Sequence, residues 1–314
     1  MIGFLIPLLF SVPHHQRYHM ICYYNWNEPP LKDVDISLCS HIILIGQLHL
    51  DNLGHIQLPP DHISQDFSGL KKQRQDLKLL ICLTGPNHGF SELVSSTATM
   101  STLADACYAF LKKFSFDGLD IDWEFPSWSS DSQKTDRQRF PLLLKTLRDK
   151  FGSTLLLTVA VSGPPTITKV AYETESFNRY VDLVNVMNYD FHIFSYFNPF
   201  VGFNSPLRKL SLEVEVAALM NSTCKLAERT ERSSAYTYVW NDQAASPYLY
   251  GTDKLWLSFE DVKSVRAKTQ YAQKLGIAGV MVYDIGSDDV YGLCGNGTYP
   301  LLRAIKEELY EGDV

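Results

Sequence analysis

At 314 residues, with 45% hydrophobic and 20% charged residues, the chain has the composition of a globular protein able to bury a sizeable core, which excludes global disorder. A formal charge of −7, without a run of Lys or Arg, argues against a nucleic-acid partner or an anionic membrane surface and favours a neutral ligand. Length admits two average domains, but a βα-barrel routinely uses about 250 residues or more as one, so a single large domain is expected. Aromatic residues at 12% would suit a groove that stacks on sugar rings, or simply a Tyr-rich core and surface.

The chain opens on an apolar run, residues 2–10, about as long as the hydrophobic part of a signal peptide. No Lys or Arg precedes it and no small-residue cleavage site follows, so an uncleaved start is the alternative to a secreted protein, or one routed to the lysosome, that loses residues 1–17. No later stretch reaches the roughly 18 uninterrupted apolar residues of a membrane span.

From residue 19 onward, β-branched or apolar runs alternate with helix-like stretches, the pattern of a parallel sheet with crossover helices. The predicted strands are 19–24, 41–45, 79–83, 118–124, 155–162, 183–189 and 278–283. Helical periodicity is clearest over 100–114, where Leu103, Cys107, Phe110, Leu111 and Phe114 share a face, and recurs over 136–151 and 264–275. Residues 191–276 break the alternation and read as an irregular or inserted segment carried by the barrel. Six cysteines stand at 22, 39, 82, 107, 224 and 294 without the paired spacing of a zinc site, so disulfides are the better reading for some. Sequons at Asn221 and Asn296 are compatible with a secreted glycoprotein.

The run from Asp117 to Glu124 carries the chemistry. Side chains alternate along a strand, so Asp120, Asp122 and Glu124 share one face while Ile121 and Trp123 share the other. Crowding three carboxylates inside a barrel raises at least one pKa, which is what a general acid needs near neutral pH. Glu124 comes last, at the strand end where βα-barrels place their active sites, and is the candidate acid. Asp117 has the opposite parity and suits a structural hydrogen bond. Two other readings stay open at this level: a Mg²⁺ or Ca²⁺ site, and the exposed face of an edge strand. The flanking Phe114, Phe116, Leu119, Ile121 and Trp123 favour a buried strand.

The segment from Phe116 to Pro126 resembles the DxxDxDxE signature of glycoside hydrolase family 18, the chitinases and chitinase-like lectins. Val186 to His192, Asn204 to Leu207, Cys22 to Trp26, and Asp288 to Gly292 with Cys294 extend the similarity over most of residues 19–310. The resemblance implies an α/β fold, a (β/α)8 TIM-type barrel over residues 18–314. It implies a retaining, substrate-assisted chitinase acting on β-1,4-linked N-acetylglucosamine, an exception to two-carboxylate glycosidase chemistry. Glu124 would protonate the leaving oxygen, Asp122 would hold the substrate acetamide, Asp120 would tune Asp122, and Tyr189 would bond the acetamide oxygen. Met187 and Asp190 would line the sugar, Tyr23 and Trp26 the groove wall, and Tyr283 the floor. Disulfides Cys22–Cys39 and Cys224–Cys294 follow from the same likeness and leave Cys82 and Cys107 as buried thiols. Chitin or its oligosaccharides would be the partner of a monomer that needs no metal or organic cofactor.

The resemblance also breaks. Gly85-Pro86-Asn87 stands where relatives carry Gly-Gly-Trp, Gly46 replaces an aromatic on the second strand, and Tyr283 replaces a Trp. Beyond Leu207 the seventh strand and most of a small α+β insertion are missing, with residues 208–260 as an irregular remnant. Either 210–220 or 234–240 fills the gap, or the barrel is incomplete. A catalytically weak or inactive chitinase-like lectin is therefore the alternative; family lectins usually lose the acid, and Glu124 is retained.

Overall fold

A computed structural model describes residues 2–6, 18–191, 202–208, 236–252 and 256–310. Its main sheet contains β1 (Ile2–Ile6), β2 (His19–Asn25), β3 (His41–Leu50), β4 (Ile56–Gln57), β5 (Lys78–Thr84), β6 (Gly118–Asp122), β7 (Leu156–Ser162), β8 (Leu183–Met187) and β12 (Gly279–Val282). Neighbours run β2-β12-β1-β8-β7-β6-β5-β3, and β2 pairs with β3 to close the ring. β4 hangs antiparallel on the far end of β3. The parallel strands are those predicted, and the architecture is a (β/α)8-type barrel.

The eighth place differs from every expectation. β1 lies between β8 and β12, antiparallel to both, with Phe4 opposite Val186 on one side and Val280 on the other. Residues 234–240 do not fill the gap: Tyr236–Asn241 forms β9, which joins β10 (Ser246–Gly251) and β11 (Trp256–Ser258) in a separate antiparallel sheet. That sheet gives order to part of the stretch read as irregular, while 210–220 lies outside the described residues. Residues 2–6 cannot be both part of a removed leader and the strand between β8 and β12 in one molecule.

Two layers of packing follow from strand parity. Leu119, Ile121 and Trp123 point outward into the layer shared with the helices, and Ile21, Tyr23, Ile43, Leu80, Cys82 and Met281 fill the barrel interior. The helix Thr97–Phe114 shows why the outer layer forms. Ser96 caps it by accepting the Thr99 N–H at 3.2 Å, its apolar stripe from Leu103 to Phe114 is buried, and Ser115 ends it in a left-handed conformation. Helices Asp136–Phe151 and Val262–Lys274 occupy the other predicted positions.

The acid-bearing strand is held close to its neighbour. A Cβ at Gly118 would stand 2.2 Å from the Leu156 carbonyl oxygen, so only glycine lets β6 and β7 approach there. Asp117 is structural as its parity suggested: Oδ2 accepts the Leu79 N–H at 2.7 Å and pairs with Lys71 at 2.6 Å. The Cys22–Cys39 disulfide joins β2 to the residues before β3, and Cys82 and Cys107 are free and buried. Cys294 is disulfide-bonded; its expected partner Cys224 lies outside the described residues. Among the described residues, no helix is long and apolar enough to cross a membrane.

Candidate active site

β6 ends at Asp122 and the chain leaves the sheet toward Glu124, at the carboxyl end of the parallel strands. Asp120 is completely buried and sits in a cage of donors. Tyr23 Oη donates to Oδ2 at 2.8 Å, Asn185 Nδ2 donates to Oδ1 at 3.1 Å, and Thr158 Oγ1 also donates to Oδ1. Burial pushes its pKa up, while hydrogen bonds from Thr158, Tyr23, Cys82 and Asn185 pull the other way.

Asp122 has no such cage. Burial, then the Glu124 and Asp120 carboxylates, push its pKa well above the ordinary value. Its Oδ1 is buried and makes no hydrogen bond. An unpaired buried acceptor is expensive, roughly 1–3 kcal/mol, and that cost falls away when a ligand N–H reaches it. Glu124 reaches solvent at the mouth of the site, yet surrounding protein desolvates it enough to raise its pKa, with the Asp190 carboxylate adding to the effect. Three carboxylates in three environments can supply a proton donor at Glu124, an acceptor for a ligand N–H at Asp122, and a buried anchor at Asp120.

The remaining predicted residues fall into two sets. Tyr189 and Tyr283 stand beside the acids with ring centroids 5.9 Å apart, and Tyr283 also lies 5.7 Å from Tyr23. Burial raises the Tyr189 phenol strongly, with Asp122 the next cause, and pushes Tyr283 up to about 12. Both phenols therefore remain protonated donors at working pH. Met187 ends β8 against the interior cluster, and Asp190, at φ 57°, receives the Asn204 Oδ1 acceptor for its own N–H at 3.2 Å. The structure brings these residues together. Tyr23 is instead buried beneath the acids, and Trp26 packs edge-on to Tyr24 at 6.4 Å while covering the core.

Sequence reasoning missed Thr158 and Asn185, both completely buried. Parity could have found them: Thr158 pairs in register with Asp120, and Asn185 is a polar residue between outward-facing Val184 and Val186. Gly46, where an aromatic was missed, has φ 73° within the β3 bulge between Leu44 and Leu48. Its added Cβ would meet only Asn25 Oδ1 at 3.6 Å, so conformation rather than space favours glycine there. Among the described residues, no three His, Cys, Asp or Glu side chains stand as a metal-binding group.

Comparison with known proteins agrees with this geometry. The model of "Glycosyl hydrolases family 18" matches residues 19–232 and 217–288. Chitotriosidase-1 of Mus musculus is 29% identical over 365 aligned positions, covering 92% of this chain and 78% of that protein. That alignment is longer than the chain itself, so the relative carries residues opposite gaps here. Oviduct-specific glycoprotein of Mus musculus is 27% identical, with 98% of this chain spanning 52% of it. Among solved structures, the Ostrinia furnacalis Group IV chitinase in complex with allosamidin superposes with a TM-score of 0.84 at 25% identity, over 95% of this chain and 100% of that one. Human YKL-39, described as a pseudo-chitinase with retained chitooligosaccharide binding, shares the fold with a TM-score of 0.80 at 21% identity, over 93% and 99%.

Proposed function

We propose a function from one premise: the chain belongs to family 18 of the glycosyl hydrolases, as a chitinase or chitinase-like protein. Within that class it is a hydrolase of β-1,4-linked N-acetylglucosamine chains that works by substrate assistance with retention. Glu124 gives its proton to the glycosidic oxygen as the bond from that oxygen to the anomeric carbon breaks. The substrate's acetamide carbonyl forms the replacing bond from the opposite face, giving an oxazolinium. Asp122 accepts the acetamide N–H and balances the positive charge, and the Tyr189 phenol donates to the acetamide oxygen. Water then opens the oxazolinium with the Glu124 carboxylate as base, and the configuration is restored.

The observation that carries this reading is the unpartnered, buried Oδ1 of Asp122, next to an acid whose pKa is raised. Asp120, fixed by Tyr23, Thr158 and Asn185, repels a second negative charge on Asp122 and thereby favours a proton shared near that site. The second reading, an inactive chitin-binding protein, draws on Gly46 and the Gly85-Pro86-Asn87 run, where stacking surface worth on the order of 1 kcal/mol per ring is absent. The Cys22–Cys39 disulfide supports an extracellular or lysosomal setting, with the exposed Asn296 as a glycan acceptor.

The test is turnover of a chromogenic chitotriose glycoside, with oligosaccharide binding measured in parallel. Wild type is expected to release chromophore, and Glu124→Gln to lose turnover while still binding. Wild-type binding without turnover would establish the second reading instead.

A further inference from the structure

We infer that Asn87 and Ser129 form a clamp on the backbone of Glu124 and are positioning residues for the acid. The inference rests on the reading of Glu124 as the acid. Sheet pairing along β6 stops at Asp122, opposite Ala160, two residues short of Glu124. The acid therefore lies beyond the ladder that orients Asp120 and Asp122, and something else must fix its backbone.

Two side chains do so. Asn87 Nδ2 donates to the Glu124 carbonyl at 2.9 Å, and Ser129 Oγ donates to the same carbonyl at 3.0 Å. Ser129 Oγ also accepts the Phe125 N–H at 2.9 Å, so one hydroxyl engages both the carbonyl and the N–H of the peptide after Glu124. The other end of the Asn87 carboxamide accepts the Trp123 indole N–H at 2.9 Å. Trp123 is 1% exposed and stacks on Phe90, centroids 4.9 Å apart and planes 11° apart. Asn87 and Phe90 lie on one short helix, Asn87–Leu93, so that helix holds the residue before the acid by stacking and the acid's own carbonyl by a hydrogen bond. The Trp128 and Ser129 N–H groups donate to the Phe125 carbonyl at 3.3 and 3.2 Å and close the turn that presents Ser129.

Catalysis by a general acid is steep in geometry: displacement by about 1 Å can cost on the order of a hundredfold in rate. A clamp of neutral hydrogen bonds fixes the carboxyl without competing for its proton, because both grips fall on the peptide and not on the carboxyl group. Asn87 and Ser129 thus set where Glu124 stands relative to the leaving oxygen.

The experiment compares wild type, Asn87→Ala, Ser129→Ala, Ser129→Thr and Glu124→Gln. Ser129 lies in a partly exposed loop, so its variants keep the fold even if Asn87→Ala does not. On a chitotriose glycoside, Asn87→Ala and Ser129→Ala are expected to lower kcat about tenfold with KM within about twofold, and Ser129→Thr to restore kcat to within about twofold. The side-chain carboxyl of Glu124 is also titrated by ¹³C NMR, with Glu124→Gln identifying its signal, and its midpoint is expected to move in both alanine variants but not in Ser129→Thr. If wild type does not turn over, the hydrolase reading fails and the titration alone decides the clamp. Unchanged kcat in a folded Ser129→Ala overturns the clamp, as does an unmoved Glu124 midpoint where turnover is absent.

Discussion

Replacing Tyr23 by Phe removes one hydroxyl from beneath the acids and leaves the ring in place, so no cavity of consequence opens. The hydroxyl donates to Asp120 Oδ2 at 2.8 Å and accepts from Asn185 Nδ2 at 3.0 Å. A hydrogen bond to a charged group is worth about 1.5–3 kcal/mol, one between neutral groups about 0.5–1.5 kcal/mol. For a protein of this size the larger figure is a fall in Tm of roughly 2–5 °C. Burial already holds the Asp120 pKa above its ordinary 3.8, so folding opposes its ionisation and stability declines as pH rises from the unfolded value through the folded one. Losing a donor to the carboxylate raises the folded pKa further. The deficit of Tyr23→Phe is therefore smallest below about pH 4, where Asp120 is protonated folded or unfolded, and widens toward neutral pH. Scanning calorimetry of both proteins at a series of pH values between 3.5 and about 7.5 measures it. A deficit constant across that range, or none at neutral pH, would refute the view that Tyr23 supports an ionisable Asp120.

Two further outcomes follow. Burial and then the Asp190 carboxylate raise the Glu124 pKa, and the acid role proposed for Glu124 needs its proton, so Asp190→Asn should move the alkaline limb of kcat/KM to lower pH; an unmoved limb would separate the two groups. A chain starting at residue 18 lacks β1, so amide hydrogen exchange in Leu183–Met187 and Gly279–Val282 should quicken at least about tenfold relative to the chain with residues 1–17, whereas equal rates would show that β1 does not close the ring.

Much of this site could be read along the chain because strand parity is a local property. The inward face of Asp120 and Asp122, the outward face of Ile121 and Trp123, and the structural place of Asp117 all follow from a period of two. The helix stripe ending at Phe114 was equally legible. Pairings across the ring were not. Residues 2–6 have the same apolar character whether they lead a chain out of the cell or lie between β8 and β12, and antiparallel insertion there leaves no local mark. The family likeness alone assigns Tyr23 to the groove wall; its burial depends on Asp120 and Asn185, which are 97 and 162 residues away. Asn87 stood out only as part of a lost aromatic motif, and its grip on Glu124 emerges once β5 and β6 are neighbours.

The central claim is that Glu124 and the substrate's own acetamide do the chemistry around an Asp122 awaiting an N–H. Proton NMR of the products freshly released from chitotetraose tests it most directly. Retention predicts that the newly formed reducing ends appear first as the β-anomer and mutarotate afterwards. Products that appear first as the α-anomer would contradict the account.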